Sequence, residues 1–272
     1  MNKPAKFWNL WAPYLKYMED NFLNPDVITK LMPLIKSPAL VIGAGQGILV
    51  EQIQKHNITV DGVDNQPLMI EYARKRRNIH LIEADAANLP FEDKQYKTTI
   101  IATGIFDFMT DEEMIESIIK DSRRVTADNG TILAAFYRFH PKAESLMKQL
   151  DLITPDGHWN CRKFWQTTRL PPLQLIKTIK QKTGDSYLFT ILKLIKLHLT
   201  APKAEKRKAK NLKQLWKQIQ KDFDNPEDFI QNSPDLVHYR DKSKIRNLFN
   251  RLNIPIHDII NLDSCIVVHL KN

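Results

Sequence analysis

The chain has 272 residues, of which 43% are hydrophobic and 26% charged, and its formal net charge is +9. These values are typical of a globular protein that buries its own core. Two cysteines, Cys161 and Cys265, exclude a disulfide framework and a four-thiolate zinc site. The first residues lack the apolar core of a secretory signal. We therefore expect a cytoplasmic protein without a metal centre.

The positive charge is concentrated in one internal region. Residues 140–251 hold 23 Lys and Arg against 11 Asp and Glu, whereas the remaining residues hold 17 against 20. A basic surface favours anionic partners such as nucleic acid, membrane headgroups or phosphorylated metabolites. A solvated helical face without a partner is an equally acceptable interpretation.

Short apolar runs alternate with helical patterns in the first half of the chain. The predicted strands are Ala39–Ala44, Thr59–Val63, His80–Ile82, Thr98–Thr103 and Thr131–Phe136. The predicted helices between them are Gly47–His56, Pro67–Arg77 and Asp111–Val125. In the last of these, Met114, Ile118 and Ile119 share one face at helical spacing.

The pattern changes after Phe139. Residues 140–240 predict lysine-rich helices punctuated by prolines, and the α/β pattern then returns with a helix and a strand hairpin, Ser243–Leu252, Ile256–Leu262 and Cys265–Leu270. These elements predict an α/β fold with a doubly wound, mostly parallel seven-stranded sheet. We expect residues 1–139 and 241–272 to form this domain, and residues 140–240 to form a basic helical insertion after the fifth strand.

A glycine-rich turn follows the first predicted strand. Gly43, Gly45 and Gly47 lie within five residues, between a strand and a helix. Glycines let the backbone approach a ligand closely, and the next helix presents free N–H groups toward it. Dinucleotide-binding proteins carry G-x-G-x-x-G, but here Ile48 takes the last position. The order G-x-G-x-G resembles the first motif of class I S-adenosylmethionine-dependent methyltransferases.

Later segments resemble the same family, in the order expected for its small-molecule, ubiquinone/menaquinone-methyltransferase-like branch. An acid, Asp64, ends the second strand, and Asp85-Ala86 precede the run Asn88-Leu89-Pro90-Phe91. Residues 96–109 and 122–133 resemble the segments around the family's fourth and fifth strands. The chain departs from the family at Val41, where an acid is usual, and at Lys97, which replaces the Asp of a Phe-Asp pair.

The resemblance implies a Rossmann-like methyltransferase fold with S-adenosylmethionine as cofactor and S-adenosylhomocysteine as product. It also implies cofactor contacts along the strand ends and from the N-terminal helix, at Gly43, Ala44, Gly45, Gly47, Asp64, Asn65, Met69, Asp85, Ala86, Thr103, Gly104 and Tyr14. Asp64 would bind the ribose, and Asp85 with Ala86 the adenine. Methyl transfer requires no protein nucleophile, because the cofactor carries the reactive group.

Three residues near the ends of the fourth and fifth strands are candidate catalytic groups: Asp107, Tyr137 and His140. Ligands of open α/β sheets bind at that edge, and a general base helps when the acceptor must lose a proton. The predicted insertion, as a cap with apolar helix faces and lysine-rich backs, suits a small-molecule acceptor that is amphiphilic, lipid-like or anionic. It also suits peripheral membrane contact through Lys203–Lys221.

Three alternatives stay open from the sequence. An RNA methyltransferase would use the basic insertion. The chain lacks an Asn-Pro-Pro-Tyr-type motif, so nucleic acid is a less favoured partner. Val41 and Lys97 also permit a non-catalytic cofactor-binding interaction protein. An NAD-dependent oxidoreductase is disfavoured by Ile48 and by the Asp85 segment. The sequence does not predict the oligomeric state.

Overall fold

The computed structural model describes residues 3–17, 25–138, 141–155, 157–200, 203–232, 238, 240–262 and 265–272. Its seven strands are β1 (Ala39–Ile42), β2 (Val60–Asp64), β3 (Ile82–Glu83), β4 (Tyr96–Ile101), β5 (Thr126–Tyr137), β6 (Ile256–Asn261) and β7 (Cys265–Leu270). They form one sheet in the order β3-β2-β1-β4-β5-β7-β6. The first five strands are parallel, and β6 and β7 are antiparallel. The predicted doubly wound, mostly parallel seven-stranded sheet is confirmed.

Helices flank the sheet and extend from its upper edge. They are α1 (Lys3–Trp11), α2 (Pro25–Leu31), α3 (Ile48–Gln54), α4 (Pro67–Arg77), α5 (Glu112–Val125), α6 (Pro141–Gln149), α7 (Cys161–Thr168), α8 (Pro172–Thr183), α9 (Tyr187–Thr200), α10 (Lys203–Asp222), α11 (Pro226–Asn232) and α12 (Lys242–Arg251). Short 3-10 helices occupy Ala12–Tyr17, Met32–Leu34 and Phe106–Phe108. None of the helices in the described part is long and apolar enough to cross a membrane.

Side chains of the central strands alternate between two apolar layers. Leu40 and Ile42 of β1 point into a layer closed by α5 and α12, whereas Val41 points into the layer closed by α2, α3 and α4. This alternation follows from the two-residue period of a strand. It explains why Val41 is an apolar residue, since it is completely buried in the second layer.

Helix α5 buries a slightly different face from the predicted one. Asp111 caps its first turn by accepting hydrogen bonds from the N–H groups of Glu113 and Met114. The buried positions are Ile115, Ile118 and Ile119, while the side chain of Met114 is 41% exposed. The apolar stripe therefore begins one residue later than the sequence pattern indicated, and Met114 faces the cavity described below.

The chain between β5 and α12 is helical from α6 to α11, with isolated bridges joining Ile153 to Trp159 and His158 to His238. Helices α10 and α11 pack on the N-terminal segment through Leu215, Ile219 and Phe229. Helices α8 and α9 belong to a separate apolar cluster with α6. The division into an α/β domain and a cap of residues 140–240 stays a prediction.

Two side chains of α5 hold the loop that joins β3 to β4. The guanidinium of Arg124 donates to the carbonyls of Leu89 (2.9 Å) and Phe91 (2.7 Å). The carboxylate of Asp121 accepts from the Leu89 N–H (2.6 Å) and pairs with Arg124. Because this loop begins at Ala84 and Asp85, α5 positions one wall of the cavity.

We expect Arg124→Ala to lower the free energy of unfolding by about 1–3 kcal/mol, because it removes charge-assisted hydrogen bonds to two loop carbonyls. The measurement is denaturant unfolding followed by circular dichroism. Lys94→Ala is the matched control, since Lys94 pairs with Asp128 at the fully hydrated surface and its loss should have no measurable effect. Equal destabilisation by the two substitutions would contradict the conclusion that Arg124 stabilises the loop between β3 and β4.

Candidate active site

A cavity of about 400 Å³ opens at the carboxyl ends of the parallel strands. This is the edge at which open α/β sheets bind their ligands. Eleven of the predicted site residues line the cavity: Gly43, Ala44, Gly45, Asp64, Asn65, Met69, Asp85, Ala86, Thr103, Gly104 and Tyr137. The fold thus brings together residues from five strand ends and α4 that span 94 positions in the chain, from Gly43 to Tyr137.

The glycine turn after β1 forms the base of the cavity. Gly43 and Gly45 have φ angles of +69° and +56°, in the left-handed region that favours glycine. A Cβ at Gly43 would lie 2.5 Å from the Ile105 side chain, so this position admits only glycine without rearrangement. The Gly45 N–H donates to the Asp64 carboxylate at 2.7 Å, which joins the turn to the end of β2.

Asp64 is a buried carboxylate at the cavity wall. One oxygen accepts from the Gly45 N–H, and the other accepts from the Gln66 N–H at 2.9 Å. Burial raises the pKa of Asp64 above its usual value, and the backbone donors oppose that rise. A carboxylate has about four lone-pair sites, so Asp64 retains capacity for neutral hydroxyl donors. This chemistry fits the two hydroxyls of a ribose.

The loop after β3 supplies the opposite wall. The Asp85 carboxylate accepts from the Ala87 N–H at 2.9 Å, and Asp85 also forms a bridge with Asn88. This local turn places Asp85 and Ala86 at the cavity, on the side closed by Met69 of α4. Together with Asp64, the loop presents polar groups and backbone at one end of a mostly apolar space, as an adenosine group requires.

Gln46 has a structural role that the sequence did not reveal. Its buried amide donates to the Ala12 carbonyl at 2.6 Å and accepts from Arg76 at 2.9 Å. Arg76 in turn donates to the Pro13 carbonyl at 3.2 Å. These bonds connect the glycine turn to the N-terminal segment and hold that segment over the cavity.

Trp8, rather than the predicted Tyr14, brings the N-terminal helix to the cavity. Trp8 lines the cavity, and a Cβ placed on Gly104 would lie 3.1 Å from its ring. Tyr14 is buried on the other side of the segment, where its hydroxyl donates to Asp222 at 3.0 Å and its ring packs edge-on against Phe229. The expected cofactor contact of Tyr14 therefore has no support in this geometry.

Gly47 also lies outside the cavity lining. It caps α3 with a φ angle of +75°, and a Cβ there would lie 3.1 Å from the Ile79 side chain. Close packing of this turn against neighbouring side chains accounts for the glycine, so Gly47 shapes the turn without lining the cavity.

The three candidate catalytic residues differ in their placement. Tyr137 lines the cavity, whereas the side chain of Asp107 is completely buried behind it and does not line it. Asp107 accepts hydrogen bonds from the N–H groups of Gly104 (2.9 Å) and Tyr137 (3.1 Å). It thus positions both residues instead of reaching a substrate. His140 lies outside the described residues.

The electrostatic setting of these groups follows from burial. Desolvation raises the pKa of Asp107 to about 6, although its backbone donors and nearby Arg240 oppose the rise. Burial and the charge of Asp107 raise the pKa of Tyr137 well above its usual value, so its hydroxyl stays protonated at neutral pH. Tyr137 is therefore a hydrogen-bond donor and not a base.

Arg240 clamps the loop after β4 from outside the cavity. Its guanidinium donates to the carbonyls of Phe106 (2.6 Å) and Met109 (2.7 Å). The His238 N–H donates to the Asp107 carbonyl at 2.6 Å. The chain that returns to α12 thereby fixes the loop that carries Gly104 and Phe108.

Residues 39–130 match the family model described as a methyltransferase domain. A ubiquinone biosynthesis O-methyltransferase of Histophilus somni is 29% identical over 140 residues, which cover 48% of this chain and 58% of that relative. The chain thus matches a little over half the length of this relative.

Two solved structures show the same fold. An S-adenosylmethionine-dependent methyltransferase of Methanosarcina mazei is 13% identical with a TM-score of 0.52, covering 92% of this chain and 98% of its own. A Rhodobacter sphaeroides protein, provisionally named a Zn-dependent alcohol dehydrogenase, is 11% identical with a TM-score of 0.57. The match covers 100% of this chain and 98% of the Rhodobacter chain. At such identities only the fold is shared.

The family match covers the segment that builds the glycine turn, Asp64 and the Asp85 loop. The cavity formed there has the polar groups that an adenosyl cofactor requires. Residues 39–130 thus match a methyltransferase domain, and the glycine turn, Asp64 and the Asp85 loop all lie within that match.

Proposed function

We propose that this protein methylates a hydroxyl group of a small amphiphilic molecule. The observation that carries the proposal is the composition of the cavity, in which a polar cofactor end continues into an apolar and aromatic compartment. Trp8, Phe108, Met109 and Met114 line that compartment. The Histophilus relative acts in ubiquinone biosynthesis as an O-methyltransferase, and this supports an oxygen acceptor on a molecule with an apolar part.

A cover over the cavity mouth supports a small acceptor. Trp8 packs against Phe108 with ring centroids 5.0 Å apart, and Trp11 packs against Phe229 of α11 at 4.9 Å. The cluster continues into α10 through Leu215 and Ile219, both completely buried. Aromatic side chains packed beside the cavity suit a small ligand that enters between elements, in contrast to a folded RNA lying across a surface.

The cofactor supplies an electrophilic methyl group when bound, and the chain supplies alignment. Asp64 would hold the ribose, Asp85 and Ala86 the adenine, and the backbone around Gly43 and Gly104 the methionine end. Correct alignment of reacting groups can supply roughly 7–11 kcal/mol of the barrier reduction. The residues that would hold the cofactor lie at or next to strand ends, where the sheet fixes their positions, and this suits the alignment of the reacting groups.

Tyr137 would orient the acceptor. Its side chain contacts Thr103, and its hydroxyl lies beside Gly104, since a Cβ on that glycine would be 3.2 Å away. Because the hydroxyl stays protonated, it donates a hydrogen bond to the acceptor oxygen, and the proton that the acceptor loses on methylation would pass to solvent water. Asp107 maintains this arrangement through its bonds to the two flanking backbone N–H groups.

We expect Asp64→Asn to weaken S-adenosylmethionine binding by about ten- to a hundredfold, since hydrogen bonds to a charged group contribute roughly 1.5–3 kcal/mol. Isothermal titration calorimetry measures the effect. Asp61→Asn is the control on the same strand, because Asp61 accepts from the Tyr96 hydroxyl and lies away from the cavity lining. Unchanged affinity in Asp64→Asn would remove the ribose assignment.

We expect Tyr137→Phe to lower kcat on an amphiphilic phenol or catechol acceptor by about ten- to a hundredfold, the cost of one oriented hydrogen bond to the acceptor. S-adenosylmethionine affinity should change much less. Tyr14→Phe is the matched control, because its hydroxyl bonds to Asp222 outside the cavity and its loss should leave kcat unchanged.

The same assay decides between the functions. Methyl transfer to RNA, with none to any phenolic or quinol-type amphiphile, would reject the proposed acceptor class. Cofactor binding without transfer to either class would favour a non-catalytic binding protein.

We expect Asp107→Asn to weaken cofactor binding several-fold, because an amide nitrogen would face one of two backbone donors.

The carboxyl pKa of about 6 exceeds the unfolded value, so the native state holds the proton more strongly and wild-type stability falls as pH rises from about 4 to 6. The asparagine variant lacks this titration, and its stability relative to wild type should rise across that window. Asp111→Asn is the control, because asparagine also caps a helix and Asp107 is unchanged in this variant. Parallel pH profiles of stability in wild type and Asp107→Asn would contradict the burial argument.

A further inference from the structure

Large apolar side chains are exposed together on the outer face of α8 and α9. Seven of the nine exposed large hydrophobic residues of the described chain lie there: Leu173, Tyr187, Leu188, Phe189, Ile191, Leu192 and Ile195. The other two, Ile82 and Met114, belong to β3 and α5. Contiguous exposed apolar surface on a globular protein marks an interaction site, whereas scattered residues are ordinary.

The two faces of α9 are clearly different. Thr190 is completely buried, and Leu194 packs with Ile179 of α8 in the cluster beside α6. On the opposite face, Leu188, Leu192 and Ile195 follow one another at helical spacing and are 67%, 52% and 49% exposed. The helix is thus anchored by its inner face and presents an apolar stripe outward.

Lysines accompany this stripe. Residues 172–200 contain five lysines and one acid, Asp185. On α8, Leu173, Lys177 and Lys180 lie at i, i+4 and i+7, and the ammonium of Lys180 lies 4.3 Å from the ring centre of Tyr187. Apolar residues and positive charge therefore occupy the same surface of the helix pair.

From this surface we infer that helices α8 and α9 dock the protein on an anionic membrane. Its exposed apolar side chains enter the headgroup and upper acyl region, and Lys177 and Lys180 contact acidic headgroups, as in interfacial amphipathic helices. Charge complementarity favours a membrane over a second copy of the chain, because two such faces would bring like charges together. Docking goes beyond the proposed reaction and is independent of the acceptor's identity.

Docking on this surface differs from the contact predicted for Lys203–Lys221. The side chains of residues 203–209 lie outside the described part of the structure, so that contact stays a prediction. The α8–α9 surface instead combines apolar exposure with charge, and a peripheral helix requires both for stable binding.

The test is co-sedimentation of the full chain with vesicles of phosphatidylcholine alone, or of phosphatidylcholine mixed with phosphatidylglycerol. We expect binding to the mixed vesicles to exceed binding to neutral ones, and Leu188→Ser with Leu192→Ser to reduce it by about fivefold or more. Ile82→Ser is the matched control, an exposed isoleucine outside the patch, and should bind like wild type. Lys177→Gln should weaken binding to anionic vesicles selectively.

Calorimetry and light scattering distinguish membrane docking from misfolding and from self-association. Calorimetry with S-adenosylmethionine should give wild-type affinity for every variant, which separates a docking defect from misfolding or failure of the methyltransferase assignment. The proposal would be overturned if wild-type protein did not co-sediment with anionic vesicles, or if the double serine variant bound them like wild type. A dimer in light scattering that the double serine variant dissociates would assign the patch to self-association and would also overturn it.

Discussion

The hydrogen bond from the Gly45 N–H to the Asp64 carboxylate joins the turn after β1 to the end of β2. Burial disfavours the charged form of this carboxylate, and each donor that reaches it offsets part of that cost. Two donors are backbone N–H groups fixed by the fold, so a ligand that adds neutral hydroxyl donors is favoured and an anion is disfavoured. The geometry of the glycine turn and the proposed binding of a ribose thus depend on the same contact.

The upper part of the site depends on packing between distant segments. Gln46 connects the glycine turn to Ala12, while Trp8 and Trp11 pack on Phe108 and Phe229. The N-terminal helix is therefore held between the cofactor cradle and the helices that follow β5. Under the proposed function, the acceptor would occupy the space that these three parts leave.

The sequence was sufficient to predict the sheet and many of the residues that line the cavity, because local patterns carry that information. Helix α4 and strand β7 have the predicted bounds, Pro67–Arg77 and Cys265–Leu270. The choice of Trp8 over Tyr14 depends on which side of a short helix meets Phe229, and no local pattern encodes that contact. Gln46 is equally indistinguishable from an exposed polar residue until its partners at Ala12 and Arg76 are placed.

The position of Arg240 in the chain has a consequence for how this architecture can diversify. Its guanidinium holds the carbonyls of Phe106 and Met109, yet it lies downstream of helices α6 to α11. The loop beneath the cavity is thus secured by a residue adjoining α12, and the intervening helices contribute none of these two bonds. A change in the length or surface of α6 to α9 would leave both bonds in place, whereas α10 and α11 also support the N-terminal segment through Leu215, Ile219 and Phe229.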